Sequence, residues 1–345
     1  MVRSALQKLS MGENLTEYDA IEAMNCIMEG NATQSQIGGF LTALRFKGET
    51  VEEIVGFAKV MREKSAKVPH SLPYCIDTCG TGGDGARTFN ISTAASFVAA
   101  AAGAKIAKHG NRAMSSKSGS ADVLEALGVN IGLSPGQVGK CMEEVGVGFM
   151  FAQLFHQSMK YAAGARKELG IRTVFNILGP LTNPANAKGQ LLGVFDGNIT
   201  GTMAEALKML GTERALVVHG CDGLDEITIT GATKVAELKD GVIREYYIDA
   251  AELGIPRAEQ RELAGGDAAC NAGIIRAVLA GEKGPRRNIV LVNAAAAIYV
   301  AKLADDLKEG LRIAGEMIDS GLAAARLEEL RRFTEAAAEV KEVSA

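Results

Sequence analysis

From Tyr74 onward, short apolar runs alternate with stretches of helical periodicity, and this alternation restricts the fold more than any other feature of the chain. Strands are expected at residues 75–78, 104–107, 147–151, 191–195 and 215–218. Helices are expected between them at 93–102, 120–127, 135–145 and 202–210. Strands that alternate with helices lie parallel, with helices on both faces of the sheet. Apolar runs at 227–230, 235–238 and 242–248 predict an antiparallel appendage, the last two joined by a turn at Asp240-Gly241. From Asp267 to the end the pattern is helical again.

The first 65 residues read as helical throughout. Thr33 with Gln36 and Thr50 with Glu53 have capping-box spacing, and Thr16 with Asp19 is a looser version. Gly30 and Gly48 stand where helices should stop. Residues 68–73 carry two prolines and read as a linker. The expected fold class is therefore α/β: a small all-helical N-terminal domain, 1–70, and a large α/β domain, 71–345, with a mostly parallel central sheet flanked by helices.

A net charge of −4 over 345 residues gives no global attraction to nucleic acid or an anionic membrane, so phosphate binding would need a local site. The six cysteines are scattered without CxxC pairs, which favours free thiols over a metal cluster or disulfides. The N-terminus lacks the apolar core of a signal peptide, and the most apolar stretches are too short and too interrupted to span a bilayer. A soluble, cytoplasmic protein is expected.

Gly80, Thr81, Gly82, Gly83 and Asp84 follow the first predicted strand, where open α/β sheets bind ligands. The cluster is neither a P-loop nor a dinucleotide fingerprint, and a glycine cluster alone is more often a tight turn. Here Asn90, Ile91, Ser92 and Thr93 open the next helix. Ser92 or Thr93 could be a plain N-cap; capping and anion binding use the same exposed N–H groups. After the second strand, Lys108, Arg112, Ser115, Ser116 and Ser120 supply two cations and three hydroxyls in one loop. Bare N–H groups, hydroxyls and fixed positive charge are what a phosphorylated ligand requires.

Several long motifs in this order resemble the anthranilate phosphoribosyltransferase family: GTGGD at 80–84, FNIST at 89–93, KHGNRAMSSKSGSADVLEALG at 108–128 and RKELGIRTVFNILGPLTNPA at 166–185. TQSQIGGFLTALRFKGET at 33–50, DGLDE at 222–226 and NAAAAIYVA at 293–301 extend the resemblance nearly end to end. It implies transfer of ribose 5-phosphate from phosphoribosyl pyrophosphate to the amino nitrogen of anthranilate, in tryptophan biosynthesis. It also implies Mg²⁺, two ions per active site, and a homodimer joined through the helical domain, to which helices from about 160–190 would be added.

Carried over by position, the phosphoribosyl pyrophosphate site would comprise Gly80, Thr81, Gly82, Gly83, Asp84, Thr88, Asn90, Ile91, Ser92, Thr93, Lys108, His109, Gly110, Asn111, Arg112, Ala113, Met114, Ser115, Ser116 and Ser120. Anthranilate would meet Gly80, His109, Asn111, His156 and Arg166, with the Arg166 guanidinium on its carboxylate. Asp225 and Glu226, with Ser92, would hold Mg²⁺. Adjacent acids on a strand point to opposite faces, so this pair must lie in a loop; by itself it would read as surface charge. Residues 175–184 should form a rigid turn beside the acceptor.

The implied chemistry suits the residues. An aromatic amine is neutral at physiological pH and needs no strong base, and no Ser-His-Asp or Cys-His nucleophile is in evidence, so no covalent catalyst is expected. His70 and His219 receive no role. The chain departs from the family at Ala165, often Pro, which could loosen the segment carrying Arg166, and at Cys270, often Glu. Two rival readings are a pyrimidine nucleoside phosphorylase and a non-catalytic nucleic-acid-binding homologue. Arg166, Asn111 and the Asp225-Glu226 pair disfavour the first, and the absence of a basic stripe disfavours the second.

Overall fold

A computed structural model describes residues 1–113 and 117–343. The chain begins with four helices, Val2–Ser10, Glu17–Met28, Gln34–Lys47 and Val51–Lys64. All three anticipated capping boxes form, including Thr16 with Asp19, each satisfying backbone donors that a helix start leaves unpaired. Gly30 and Gly48 adopt φ of +77° and +86°, as glycines closing a helix readily do. Glu53 is fully buried; it accepts from the Leu15 and Thr50 N–H groups and pairs with Lys47 at 2.9 Å.

After the extended linker come seven strands of one sheet: β1 Ile76–Gly80, β2 Ile106–Gly110, β3 Val147–Phe151, β4 Gly189–Gly193, β5 Arg214–Gly220, β6 Ala232–Lys239 and β7 Val242–Asp249. Their spatial order is β3-β2-β1-β4-β5-β6-β7, parallel through β5 and antiparallel for the last two pairings. The β6–β7 hairpin turns on Asp240 and Gly241, both at positive φ, which matches the right-handed twist of its strands.

Period-two alternation decides what each face of the sheet covers. Leu191, Leu216 and Val218 point into a core shared with the helices Ile91–Ala101 and Pro285–Val300. Leu192, Ala215 and Val217 point the other way, into a core continuous with the four N-terminal helices. That second core also takes in Ala162 and Ala165 of the helix Lys160–Leu169, and Phe175 and Leu178 of the short helix Phe175–Leu178.

Two sequence expectations need correction. The first helix of the α/β domain starts at Ile91, and its N-cap is Asn90, whose side chain makes no capping bond; neither Ser92 nor Thr93 caps it. Residues 227–230 are not a strand, because their backbone bonds to side chains: Ile227 to Asn293, and Thr228 N–H to the Thr233 hydroxyl. Among the described residues the cysteines form no disulfide, and no helix is long and apolar enough to cross a membrane.

Candidate active site

In an open parallel sheet the ligand crevice lies beyond the carboxyl ends of the strands, where successive connections leave in opposite directions. Here that point is between β1 and β4: the chain runs outward from β1 to β2 and β3, then returns to β1's other edge as β4. Gly80 and Gly193 end these two strands and are register partners. Asp225, from the loop after β5, folds directly over them. A Cβ on Gly193 would lie 1.6 Å from the Asp225 carbonyl oxygen, and one on Gly80 2.3 Å from Asp225 Oδ2. The two glycines thus create the space that lets a carboxylate occupy the switch point.

Two backbone donors fix the acidic pair. Gly82 N–H donates to Asp225 Oδ2 at 2.7 Å, and Ser92 N–H, in the first turn of the helix Ile91–Ala101, donates to Glu226 Oε1 at 3.0 Å. Both acids lie in a loop, as the sequence requires. Burial, followed by the neighbouring charges of Asp84 and Glu226, holds the Asp225 carboxyl well above the usual range. Burial likewise raises Glu226 to about 7, although Lys108 and the Ser92 N–H oppose it. Lys108 is only 3% exposed; its ammonium donates to the Thr78 carbonyl and, at 3.3 Å, to Ser92 Oγ. Lys108 faces Asp77 and Glu226, while Asp84 lies beside the acidic pair; hard oxygen donors of this kind suit a divalent cation. Among the described residues no three acidic, histidine or cysteine side chains converge tightly enough to hold a metal unaided.

The glycine-rich loop runs across this acidic pair. Gly82, Gly83 and Gly85 have positive φ, and Arg87 adopts φ of 54°. Thr81 is anchored at both ends: its N–H donates to the Gly193 carbonyl and its hydroxyl accepts from Phe195 N–H. Asp84 accepts from the Ala86 N–H, and Thr88 bridges Ala264. Asn90 joins Ser118 and Asn271, so it braces the second loop against the C-terminal helices. Ile91 and Thr93 are buried, and the Thr93 hydroxyl has no hydrogen-bond partner among the described residues.

Past β2, Gly110 again permits a close approach, since a Cβ there would sit 2.1 Å from Ser120 Oγ. Asn111 is exposed and its side chain accepts from Arg112 N–H. Arg112 is paired with Asp122 and Glu125, and Ala113 N–H donates to Asp122. Met114, Ser115 and Ser116 lie outside the described residues.

Of the residues expected around the acceptor, His109 and His156 are in direct contact. The rings of His109 and His156 stack obliquely with centroids 4.9 Å apart, and the Nε2 atom of each is buried without a partner among the described residues. Burial keeps both rings neutral: His109 falls to about 3, helped by His156 and Lys108, and His156 to about 4, helped by Lys67. Arg166 stacks on Phe175 at 5.0 Å and makes no ion pair with a described residue. Ala165 does not slacken its helix. Its N–H donates to Gln34 Oε1 at 2.8 Å, a bond proline could not make, and Gln34 Nε2 donates to the Tyr161 carbonyl. Cys270 is exposed on a distant helix.

Sequence reasoning missed several residues that shape the site. Arg172 reaches back to the Gly83 carbonyl and lies 4.2 Å over the Phe195 ring, bracing the glycine loop. Asp77, wholly buried on β1 and raised to about 6 by that burial, accepts from His109 N–H and from Asn183. Asp222 accepts from Thr228 and Thr230, and Asn293 grips Ile227. Their partners lie far off in sequence or within loops, where no periodicity marks them.

The chain's similarities agree with this geometry. Residues 3–65 match the family model described as glycosyl transferase family, helical bundle domain, and 72–324 the one described as glycosyl transferase family, a/b domain. The anthranilate phosphoribosyltransferase of Acetivibrio thermocellus is 58% identical, covering 100% of both chains. The crystal structure of the Thermus thermophilus enzyme of that name superposes with a TM-score of 0.91 at 44% identity, over 96% of this chain and 99% of that one. The Saccharomyces cerevisiae enzyme in complex with PRPP and Mg has a TM-score of 0.89 at 30% identity, over 97% and 98% of the two chains. That yeast enzyme is also known in complex with 4-fluoroanthranilate.

Two outcomes follow from the packing and the charges. Gly193→Ala must displace Asp225 and should lower stability by about 1–3 kcal/mol in denaturant unfolding. Gly231→Ala, in the same loop but facing open space, should cost less than about 0.5 kcal/mol; equal losses would contradict the close-approach argument. For His156, the folded ring stays neutral down to about pH 4 while the unfolded ring takes up a proton below about 6.5. Its contribution is therefore intact above pH 6.5 and is lost as the pH falls towards 4. Between those limits His156→Gln should lose stability less steeply than the wild type, by up to about 1.4 kcal/mol per pH unit. Parallel stability–pH curves would refute a neutral buried His156.

Proposed function

The chain belongs to the anthranilate phosphoribosyltransferase family, and from that premise we propose that it transfers the 5-phosphoribosyl group of phosphoribosyl pyrophosphate to the amino nitrogen of anthranilate, as a step of tryptophan biosynthesis. The observation that carries this reading is the Asp225–Glu226 pair, folded over the switch point and facing the N-terminus of the helix Ile91–Ala101. A pyrophosphate there meets backbone N–H groups and Lys108 on one side and a cation-seeking acidic pair on the other.

In this reading Asp225 and Glu226 hold Mg²⁺, with two ions per site, and Ser92 Oγ has a lone pair left to join them after accepting from Lys108. These residues would hold the ion together with hard phosphate oxygens of the donor. When bound, the metal neutralises charge on the departing pyrophosphate. The bond from the anomeric carbon to the pyrophosphate oxygen breaks and its electron pair leaves with that oxygen. Positive charge develops on the ribose, the anthranilate nitrogen closes the new bond with its lone pair, and a proton leaves that nitrogen. The glycine-rich loop and the 108–120 loop hold the donor so that these atoms meet, and such positioning supplies much of the acceleration.

On the acceptor side Arg166, half-buried and stacked on Phe175, offers its planar fork to the anthranilate carboxylate. The neutral His109 and His156 rings put no positive charge beside the amine, which keeps its lone pair available. Asn111, exposed at the end of β2, lies where donor and acceptor would meet. The same reading has the enzyme working in the cytoplasm as a homodimer. Met11, Tyr18 and Phe46 support a contact through the helical domain, being 73%, 71% and 87% exposed there.

Arg166→Ala should raise KM for anthranilate at least about tenfold while changing KM for phosphoribosyl pyrophosphate less than about threefold. Arg166→Lys should recover only part of the loss, because an ammonium lacks the fork. Equal increases in both KM values would refute a role on the acceptor carboxylate.

A further inference from the structure

Asn293 sits in the middle of the helix Pro285–Val300, in a run of alanines and branched apolar residues, and is 0% exposed. An amide there is costly unless its groups are bonded. They are, and almost entirely to one residue of another element. Asn293 Oδ1 accepts from Ile227 N–H at 3.0 Å, and Nδ2 donates to the Ile227 carbonyl at 2.9 Å and to Ile289 in its own helix at 2.9 Å. Ile227 follows Glu226 directly, and its backbone donor and acceptor are both taken by this side chain.

The consequence reaches the acidic pair. The helix Pro285–Val300 packs against the helix Ile91–Ala101, whose first turn carries the Ser92 N–H that holds Glu226. Asn293 fixes Ile227 to one helix of that packed pair, and Ser92 fixes Glu226 to the other. Their packing therefore sets where the carboxylate stands. On the far side of Ile227, Asp222 accepts from Thr228 and Thr230 and closes the same loop. Adjacent side chains in an extended chain point apart, so Asp225 and Glu226 face one site only while this loop keeps its shape.

We propose that Asn293 is a positioning residue for the Asp225–Glu226 pair, holding it in the arrangement that captures magnesium pyrophosphate; this rests on the metal reading above. Leu and Ala, which can neither donate nor accept, cannot reproduce the two-way grip on Ile227, and Asp can do so only when protonated. Outer-shell partners of this kind govern affinity without touching the metal.

The test is calorimetric binding of magnesium pyrophosphate to the full-length protein. Asn293→Leu and Asn293→Ala should each weaken it about 10–100-fold, as should Glu226→Gln. Combining Asn293→Ala with Glu226→Gln should add little further, because both act through one carboxylate. The KM for anthranilate should stay within about twofold of wild type in the Asn293 variants, which a general loosening of the fold would not allow. A folded Asn293 variant that binds magnesium pyrophosphate as wild type does, while Glu226→Gln does not, overturns the proposal alone. Unchanged affinity in Glu226→Gln overturns the metal reading and the proposal with it. Should neither Asn293 variant fold, amide exchange in the wild type decides: Ile227 N–H is expected to be protected like a core amide, and exchange at the rate of an open loop would contradict the grip.

Discussion

The approach of Asp225 to Gly80 and Gly193 is the contact from which the rest of the site takes its positions. It requires two facing glycines at the ends of adjacent parallel strands, at the point where the sheet's connections diverge. With any side chain at either position, the loop after β5 would be pushed off the strand ends. Because Asp225 is seated there, Gly82 can donate to it, and the loop at 80–85 turns through positive φ at Gly82, Gly83 and Gly85. Because Asp225 is seated there, Glu226 also reaches the start of the helix Ile91–Ala101.

This arrangement places electrostatic strain where a ligand can relieve it. Asp225 and Glu226 are buried together near Asp84; burial raises both carboxyls, and Lys108 opposes this at Glu226. Their raised affinity for protons reflects how poorly a buried setting suits them as anions. A divalent cation bridged to a polyanion would satisfy both the carboxylates and the N–H groups around them. The residues proposed to meet the acceptor are arranged in the opposite sense. They include two uncharged imidazoles and one guanidinium stacked on an aromatic ring, a setting for a flat molecule that carries one negative charge.

Much of this was legible in the sequence because the responsible signals are local. The three capping boxes, the hairpin turn at Asp240-Gly241 and the parallel strands each depend on residues within a few positions of one another. The glycine and hydroxyl loops were legible for the same reason. What could not be read depends on distant partners. Residues 227–230 have the β-branched composition of a strand, yet Asn293, 66 positions beyond Ile227, takes the backbone bonds a neighbouring strand would have used. The helix at Ile91 begins earlier than its apolar pattern suggests, since its cap makes no side-chain bond that a spacing rule could detect. Ala165 reads as a loss of rigidity in the sequence, yet Gln34, 131 positions away, holds its N–H. Within 160–172, the cations of Arg166 and Arg172 read as a solvated face, and only their aromatic partners Phe175 and Phe195 distinguish them.

The central claim is that one crevice joins a pyrophosphate-bearing donor held with Mg²⁺ to an aromatic amine carrying a carboxylate. The most direct measurement follows anthranilate fluorescence with the purified protein. A decay that requires phosphoribosyl pyrophosphate and Mg²⁺ together, with release of one pyrophosphate per anthranilate consumed, is the predicted result. Stable fluorescence with well-folded protein and both additions present would contradict the account.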